Sequence, residues 1–406
     1  MPATATPELK AAWAAYHAAL EEMRLAMEAT PRFQAQPQHR AKAYHTLMEA
    51  QAQAYNFVVA PRMMQPRIFF NSGWQTDLYT LGQNCQDLLY GVTLLDGRQT
   101  YRMSGRMGDL GIFLLQVQNG IFGEPDVKLV GNYDWADLQK DQDGRFEVIL
   151  SATEHKGNWI RLDPNIASQF VHIRRSLTDW HGDKGELHFE RISEIADDHY
   201  DYDEFDEAAI ARRIVRATHF LRYLVMIFNI NLYDMYLKNA GGKKNVMTLL
   251  PGTVTSEVGS PSSNYAMAIF DLKPDEALIV ELEEAPDGTY WSFQVGDVWS
   301  RSLDYMNRHS TLSDRETHIG ADGKVRVVVS LKDPGVQNWM DPCNRVEGTV
   351  VFRNYRTSKA PVPSSRLVKF ADLERELPRD TQRVTPAERK AIIAHRRAGQ
   401  RKMYGE

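Results

Sequence analysis

The segment Asp143–Ser151, Asp-Gly-Arg-Phe-Glu-Val-Ile-Leu-Ser, returns without a gap as Asp322–Ser330, Asp-Gly-Lys-Val-Arg-Val-Val-Val-Ser. Each copy continues into Asn-Trp (Asn158-Trp159; Asn338-Trp339), then Asp-Pro (Asp163-Pro164; Asp341-Pro342), then an apolar run closed by arginine (Phe170–Arg174; Thr349–Arg353). Agreement that preserves order this far marks an internal duplication, so the chain folds as two copies of one unit plus whatever joins them. Upstream, Tyr90–Asp96 matches Tyr265–Asp271 and Phe113–Val117 matches Trp291–Val295, which extends the copies to roughly 85–176 and 260–356.

Alternating apolar positions, β-branched residues and the turn dipeptides Asp96-Gly97, Asp143-Gly144, Asp287-Gly288 and Asp322-Gly323 predict strands joined by hairpins in both copies. Two copies make a duplicated domain rather than a solenoid, and an antiparallel sandwich or curved sheet follows. Outside the copies the periodicity is helical. Glu8 to about Ala29 and about Ala41 to Val59 read as a helical hairpin around a Pro/Gln-rich break, and a long helix runs from about Asp206 to Asn239 before Gly241-Gly242. The acidic stretch Glu194–Glu207 reads as the entry to that helix, since it lacks the ligand spacing of a calcium loop. Thr357–Ser365 reads as a linker, and Thr385-Pro386-Ala387-Glu388 opens a last helix with the basic run Arg389, Lys390, Arg396, Arg397, Arg401 and Lys402, expected to be solvated or to face a partner subunit.

The predicted fold class is therefore α+β: two duplicated, mainly antiparallel, sandwich-like β lobes joined by a long buried helix, with an N-terminal helical hairpin and a C-terminal helix. The expected segments are 1–64 (hairpin), 65–193 (first β repeat), 194–250 (connecting helix), 251–358 (second β repeat) and 359–406 (C-terminal linker and helix). A formal charge of -5 over 406 residues gives no footprint for nucleic acid, and no apolar run reaches the ~20 residues that span a bilayer. With no apolar leader and two cysteines at unrelated places in the repeat, Cys85 and Cys343, the chain reads as cytoplasmic with free thiols.

No phosphate loop, nucleophile elbow, paired-cysteine spacing or His-Glu-x-x-His occurs, so neither cofactor nor metal is expected. The duplication offers another handle. Positions kept in both copies, such as Asn-Trp and Asp-Pro, serve the scaffold, whereas positions that change from apolar to polar point to function. His172 is such a position, because the register puts Val351 there in the second copy. With Val171 and Ile173 on one face of the strand, His172 and Arg174 share the other. On the connecting helix His219, Arg222, Met226, Asn229, Tyr233 and Tyr236 recur at steps of three and four, forming one stripe that either bonds to a neighbouring domain or lines a wet pocket. Asp304, Tyr305 and Arg308 sit densely between two strands of the second copy, where Asp304 and Arg308 are also spaced as a helical ion pair. Trp74, Tyr79 and Tyr90 offer an aromatic wall.

Three stretches resemble a known family: Tyr290–Tyr305, Asp333–Asp341 and Val384–Arg389, with Leu95–Arg102 and Asn158–Pro164 in the first copy. They are similar to bacterial proteins that carry the domain of unknown function 1214, over about residues 65–400. The chain departs where the family often has a Leu-Asp-Thr-Gly-like stretch, here Met340-Asp-Pro-Cys343. The resemblance implies a β-rich, two-lobed fold and occurrence in bacteria that degrade aromatic or steroid-like compounds; it carries over no catalytic residues.

The function expected from these residues is a cofactor-independent enzyme, with a lyase favoured and a hydrolase or isomerase as alternatives, that acts by proton transfer on a small aromatic or carbonyl-bearing molecule. His219 or His172 would take a proton, Tyr233 or Tyr236 would donate one, and Arg222 would hold a carboxylate or oxyanion. Asn229, Trp74, Asp304, Tyr305 and Arg308 would bind substrate. The rival expectation is a non-catalytic ligand-binding or assembly protein, a homodimer through its terminal helices. A hydrolase built on Cys85 is a third, opposed by the neighbouring Asp87.

Overall fold

The computed structural model describes residues 4–63, 65–70, 82–194, 205–250, 263–359 and 361–404. Trp74, Tyr79 and most of the acidic stretch before the connecting helix lie outside these. The chain forms two compact units: Met1–Ser72, Leu89–Leu177 and Gly182–Ile227 make the first, and Gly73–Leu88, Thr178–His181 and Phe228–Glu406 the second.

The first unit opens with α1 (Pro7–Glu28), α2 (Pro31–Ala35) and α3 (Pro37–Ala54). The prolines of the expected break start helices instead of separating them, because the first helical residue needs no donor and proline presets its φ. Thr6 and Thr30 cap α1 and α2, accepting from Leu9 N and Phe33 N. Nine strands follow: β1 (Phe69–Phe70), β2 (Leu88–Leu95), β3 (Tyr101–Arg106), β4 (Ile112–Gln118), β5 (Leu129–Asp134), β6 (Arg145–Ser151), β7 (Trp159–Arg161), β8 (Gln169–Ser176) and β9 (Glu186–Arg191). They form a five-stranded sheet, β1-β2-β8-β4-β5, and a four-stranded sheet, β7-β6-β3-β9. Leu95, Phe113, Leu115, Val117, Val171 and Ile173 of the first pack against Tyr101, Met103, Val148 and Leu150 of the second, making one sandwich core.

The connecting helix begins as α4 (Glu207–Arg222), capped by Asp206, and ends as α5 (Leu232–Asn239). Between them Tyr223–Asn231 is a nine-residue π-helix. Such a wide turn shifts every later side chain around the axis, so the stripe from His219 to Tyr236 does not keep the single face that an α-helix would give it. The unit boundary falls here, leaving His219, Arg222 and Met226 in the first unit and Asn229, Tyr233 and Tyr236 in the second. Gly241 and Gly242, both at positive φ, close the helix.

The second unit repeats the strand plan: β10 (Thr248–Leu249), β11 (Ser263–Asp271), β12 (Glu276–Leu282), β13 (Tyr290–Gly296), β14 (Thr311–Ser313), β15 (Val325–Ser330), β16 (Trp339–Met340), β17 (Glu347–Tyr355) and β18 (Ser364–Lys369). Its sheets are β10-β11-β17-β13-β14 and β16-β15-β12-β18, strand for strand the order of the first. The ladders agree in register: Gln116 pairs His172 and Gln294 pairs Val351, while Ile149 pairs Trp159 and Val328 pairs Trp339. The duplication is thus a duplication of fold. The ninth strand of the first copy lies within the 65–193 read as the first β repeat, whereas β18 begins inside the stretch read as linker, where its pairing with β12 outweighs a Pro/Ser-rich composition.

The motifs kept in both copies make the same bonds. Asn158 Nδ2 donates to Gln139 O (2.7 Å) and Glu147 O (3.0 Å), and Asn338 Nδ2 donates to His318 O (2.7 Å) and Arg326 O (2.9 Å). Trp159 Nε1 donates to Ser151 O and Trp339 Nε1 to Ser330 O. Asp163 and Asp341 each accept from the amide two residues on. These are turn and core devices.

The C-terminal helix, Pro386–Tyr404, departs from the solvated basic face expected of it. Arg389 is buried against Asp333 (2.9 Å) and over the Trp339 ring, and Arg396 is buried between Glu316, Thr311 and the Trp180 ring. Lys390, Arg401 and Lys402 remain exposed. The long arginine stems pack while their heads find partners inside the unit.

Candidate ligand site on the first lobe

Because β8 alternates, Val171 and Ile173 enter the sandwich core and Phe170, His172 and Arg174 take the outer face of the five-stranded sheet. Antiparallel partners share a face, so the pairing of His172 with Gln116 and of Gln116 with Asn132 lays these three side chains in one row across β8, β4 and β5. On the other side of His172 stands the Tyr90 ring of β2, 5.7 Å away between centroids; Phe170 lies 6.1 Å away on the same strand. Arg174 donates to Gln116 Oε1.

His172 and Gln116 are buried and Asn132 half-buried, yet the row is poorly bonded. His172 is 2 % exposed, and neither ring nitrogen has a hydrogen-bond partner among the described residues. Gln118 Oε1 and Asn132 Oδ1, on the same face, are also without one. Burial, reinforced by the Arg174 charge, holds the His172 pKa well below the ordinary imidazole value, so the ring is neutral. Polar atoms buried without partners cost ~1–3 kcal/mol each, a cost a fold sheds unless something else meets them.

The second lobe bonds more of the row, although Gln294 Oε1 and Ser292 Oγ on that face also lack a partner among the described residues. Gln294, at the register of Gln116, donates to Asn84 O (2.8 Å) and Ser302 Oγ (3.1 Å). Thr311, at the register of Asn132, accepts from Arg396 Nη2 (2.6 Å), and Val351 replaces the histidine. Arg353, the counterpart of Arg174, donates to Gln83 O (3.2 Å). Segments of the unit itself close this face.

Most of the remaining expected residues meet protein partners. Arg222 pairs with Glu22 of α1 (2.7 Å), half exposed, and His219 is half buried with no side-chain hydrogen bond among the described residues. Asn229 donates to Trp299 O (2.7 Å); Tyr233 donates to Glu347, which also meets Lys244 (3.0 Å); Tyr236 is buried. Asp304 accepts from the Met306 and Asn307 amides, capping a turn, and Arg308 pairs with Asp341 (2.5 Å), so the two do not form the helical ion pair their spacing allowed. Tyr305 is buried and its hydroxyl accepts from Asn84 Nδ2 (3.3 Å).

A second polar cluster lies inside the second unit. Asp87 accepts from Tyr290 (2.5 Å), Trp180 Nε1 (2.7 Å) and Gln86 Nε2 (2.7 Å), and the Cys85 thiol lies 2.9 Å from the Tyr290 hydroxyl. Burial pushes the Asp87 carboxyl up to about 7 and raises the Cys85 thiol as well, which disfavours a thiolate nucleophile. This carboxyl is fully engaged and anchors the scaffold. A cleft elsewhere in the unit, lined in part by His318, Arg326, Asn338 and Asp380, includes none of the expected site residues.

Sequence reasoning picked His172 but passed over Gln116, Gln118 and Asn132. The available signal was the pair of glutamines interrupting the apolar strand Ile112–Gln118, one of them repeated as Gln294. Among the described residues no group of three or more His, Cys, Asp or Glu is placed to hold a metal, and no helix is long and apolar enough to cross a membrane.

A crystal structure of an uncharacterized protein from Burkholderia cenocepacia is similar over 89% of this chain and 97% of its own, at 26% identity and a TM-score of 0.77. A protein from Vibrio parahaemolyticus is similar over 80% of this chain and 98% of its own, at 13% identity and a TM-score of 0.45. No curated protein matches the sequence. Residues 271–359, within the second lobe, match the family model described as Protein of unknown function (DUF1214).

Proposed function

We propose that this protein binds a small organic molecule on the outer face of the first lobe's five-stranded sheet, with His172 at the centre of the site. The observation that carries the reading is the pair of unpartnered ring nitrogens of a buried histidine, beside the equally unpartnered Gln118 Oε1 and Asn132 Oδ1. The duplication supports it, because in the second lobe Val351 replaces the histidine and Thr311 and the Gln294 amide nitrogen are bonded by their own chain, although Gln294 Oε1 is not. A proton-transfer enzyme, in lyase form, is the second reading. Burial and the Arg174 charge both disfavour the protonated His172 ring, so binding is the better supported of the two readings. The free thiols Cys85 and Cys343 accord with a reducing compartment such as the cytoplasm.

The test is a thermal-shift screen of the full chain against neutral, acidic and aromatic metabolites, run in parallel on His172→Val. A compound that stabilises the wild type and not the variant supports the reading. Hits that stabilise both equally overturn it.

A further inference from the structure

Which atoms lack partners says what a ligand must bring. Gln118 and Asn132 each present an unpartnered carbonyl oxygen beside an amide NH2, and a neutral imidazole adds one acceptor and one donor, so the site needs groups that both donate and accept. An anion fails on two counts. It would face those acceptors, and Arg174, the cation that would draw it in, already donates to Gln116. A cation would sit beside the Arg174 charge that already disfavours a proton on His172. Hydroxyl groups on an uncharged molecule satisfy the inventory. His172 and Asn132 both pair with Gln116, from opposite sides, so they stand two strand spacings apart, roughly 10 Å. The half-buried Tyr90 ring beside His172 offers an apolar face to a ring, while Phe170 packs edge-to-face against Phe122.

Resting on the ligand-binding reading above, we propose that the first lobe takes an uncharged, ring-containing molecule with hydroxyl groups at two ends about 10 Å apart. One hydroxyl meets His172 and the other donates to Asn132 Oδ1, with Gln118 Oε1 taking a further hydroxyl. Two-ring phenols and disaccharides both present this chemistry.

Calorimetric titration of the full chain distinguishes them, with 4,4′-dihydroxybiphenyl, maltose and biphenyl-4,4′-dicarboxylate as probes. Binding of either hydroxylated probe, weakened about tenfold by Asn132→Ala or by the near-isosteric Gln118→Met, with no binding of the dicarboxylate, is the expected result. The phenol and sugar arms identify the source of the hydroxyls. Gln118→Met decides the matter alone should Asn132→Ala fold poorly, judged by circular dichroism. Dicarboxylate binding that requires Arg174 and ignores Asn132 overturns the ligand class while leaving a site at His172. If no probe binds and a crystal structure shows water alone along the row, both the class and the site fall.

Discussion

His172 stands directly across the β8–β4 ladder from Gln116, and the glutamine's carbonyl is taken by Arg174 while both nitrogens of the histidine go without a partner among the described residues. The second copy has Val351 opposite Gln294. Replacing His172 by valine removes two buried unpaired nitrogens, so the variant is expected to be as stable as the wild type or more stable by ~1–3 kcal/mol. Urea denaturation checks this. A loss of stability would mean the imidazole serves the fold.

The shared asparagines carry the opposite expectation. Asn338→Ala removes two bonds from Nδ2 and one to the His318 amide in a buried turn, and should cost about 2–3 kcal/mol. Asn158→Ala breaks the equivalent bonds at a site more open to water, so its cost should be smaller. Denaturant midpoints of the two variants give the ranking.

Asp87 makes stability depend on pH. Its carboxyl rises from an ordinary 3.8 to about 7, chiefly through burial, with repulsion from Glu316 second. Between these values the folded state holds a proton that the unfolded state has released. Its contribution is therefore complete below about 3.8 and is lost as pH rises towards 7. His172 and His309, whose pKa values burial depresses, act in the other direction: their contribution is present above the ordinary value of 6.5 and fades as pH falls below it. The difference between wild type and Asp87→Asn isolates the carboxyl. Wild-type stability should decline relative to the variant from pH 4 to 7, and parallel curves would contradict the assignment.

Gly185 has a φ of +65° and leaves room for no side chain, since a Cβ there would lie 2.1 Å from Arg106 O. Gly185→Ala should cost more than about 2 kcal/mol, combining left-handed strain with displacement of β3 from β9. A thermal melt measures it; an unchanged midpoint would show that the turn yields.

Much of this molecule was legible in its residues. The two copies, their hairpins and the scaffold role of Asn-Trp and Asp-Pro follow from local patterns, because strand alternation and turn chemistry act over a few residues and repeat when the segment repeats. The prolines at 31 and 37 misled for the same local reason, since a proline begins a helix as readily as it ends one. The π-helix at Tyr223–Asn231 left no such mark, and with it the expected stripe lost its single face.

The sequence by itself determined that a histidine would replace valine on one outer face and that glutamine would stand beside it in both copies. What only the tertiary structure decided is which polar groups of each face are answered. Gln294 meets Asn84, 210 positions away, and Thr311 meets Arg396, 85 away, while His172 and Asn132 meet nothing comparable among the described residues. Those partners come from segments remote in the chain, and a residue's own neighbours hold no record of what will be folded against it.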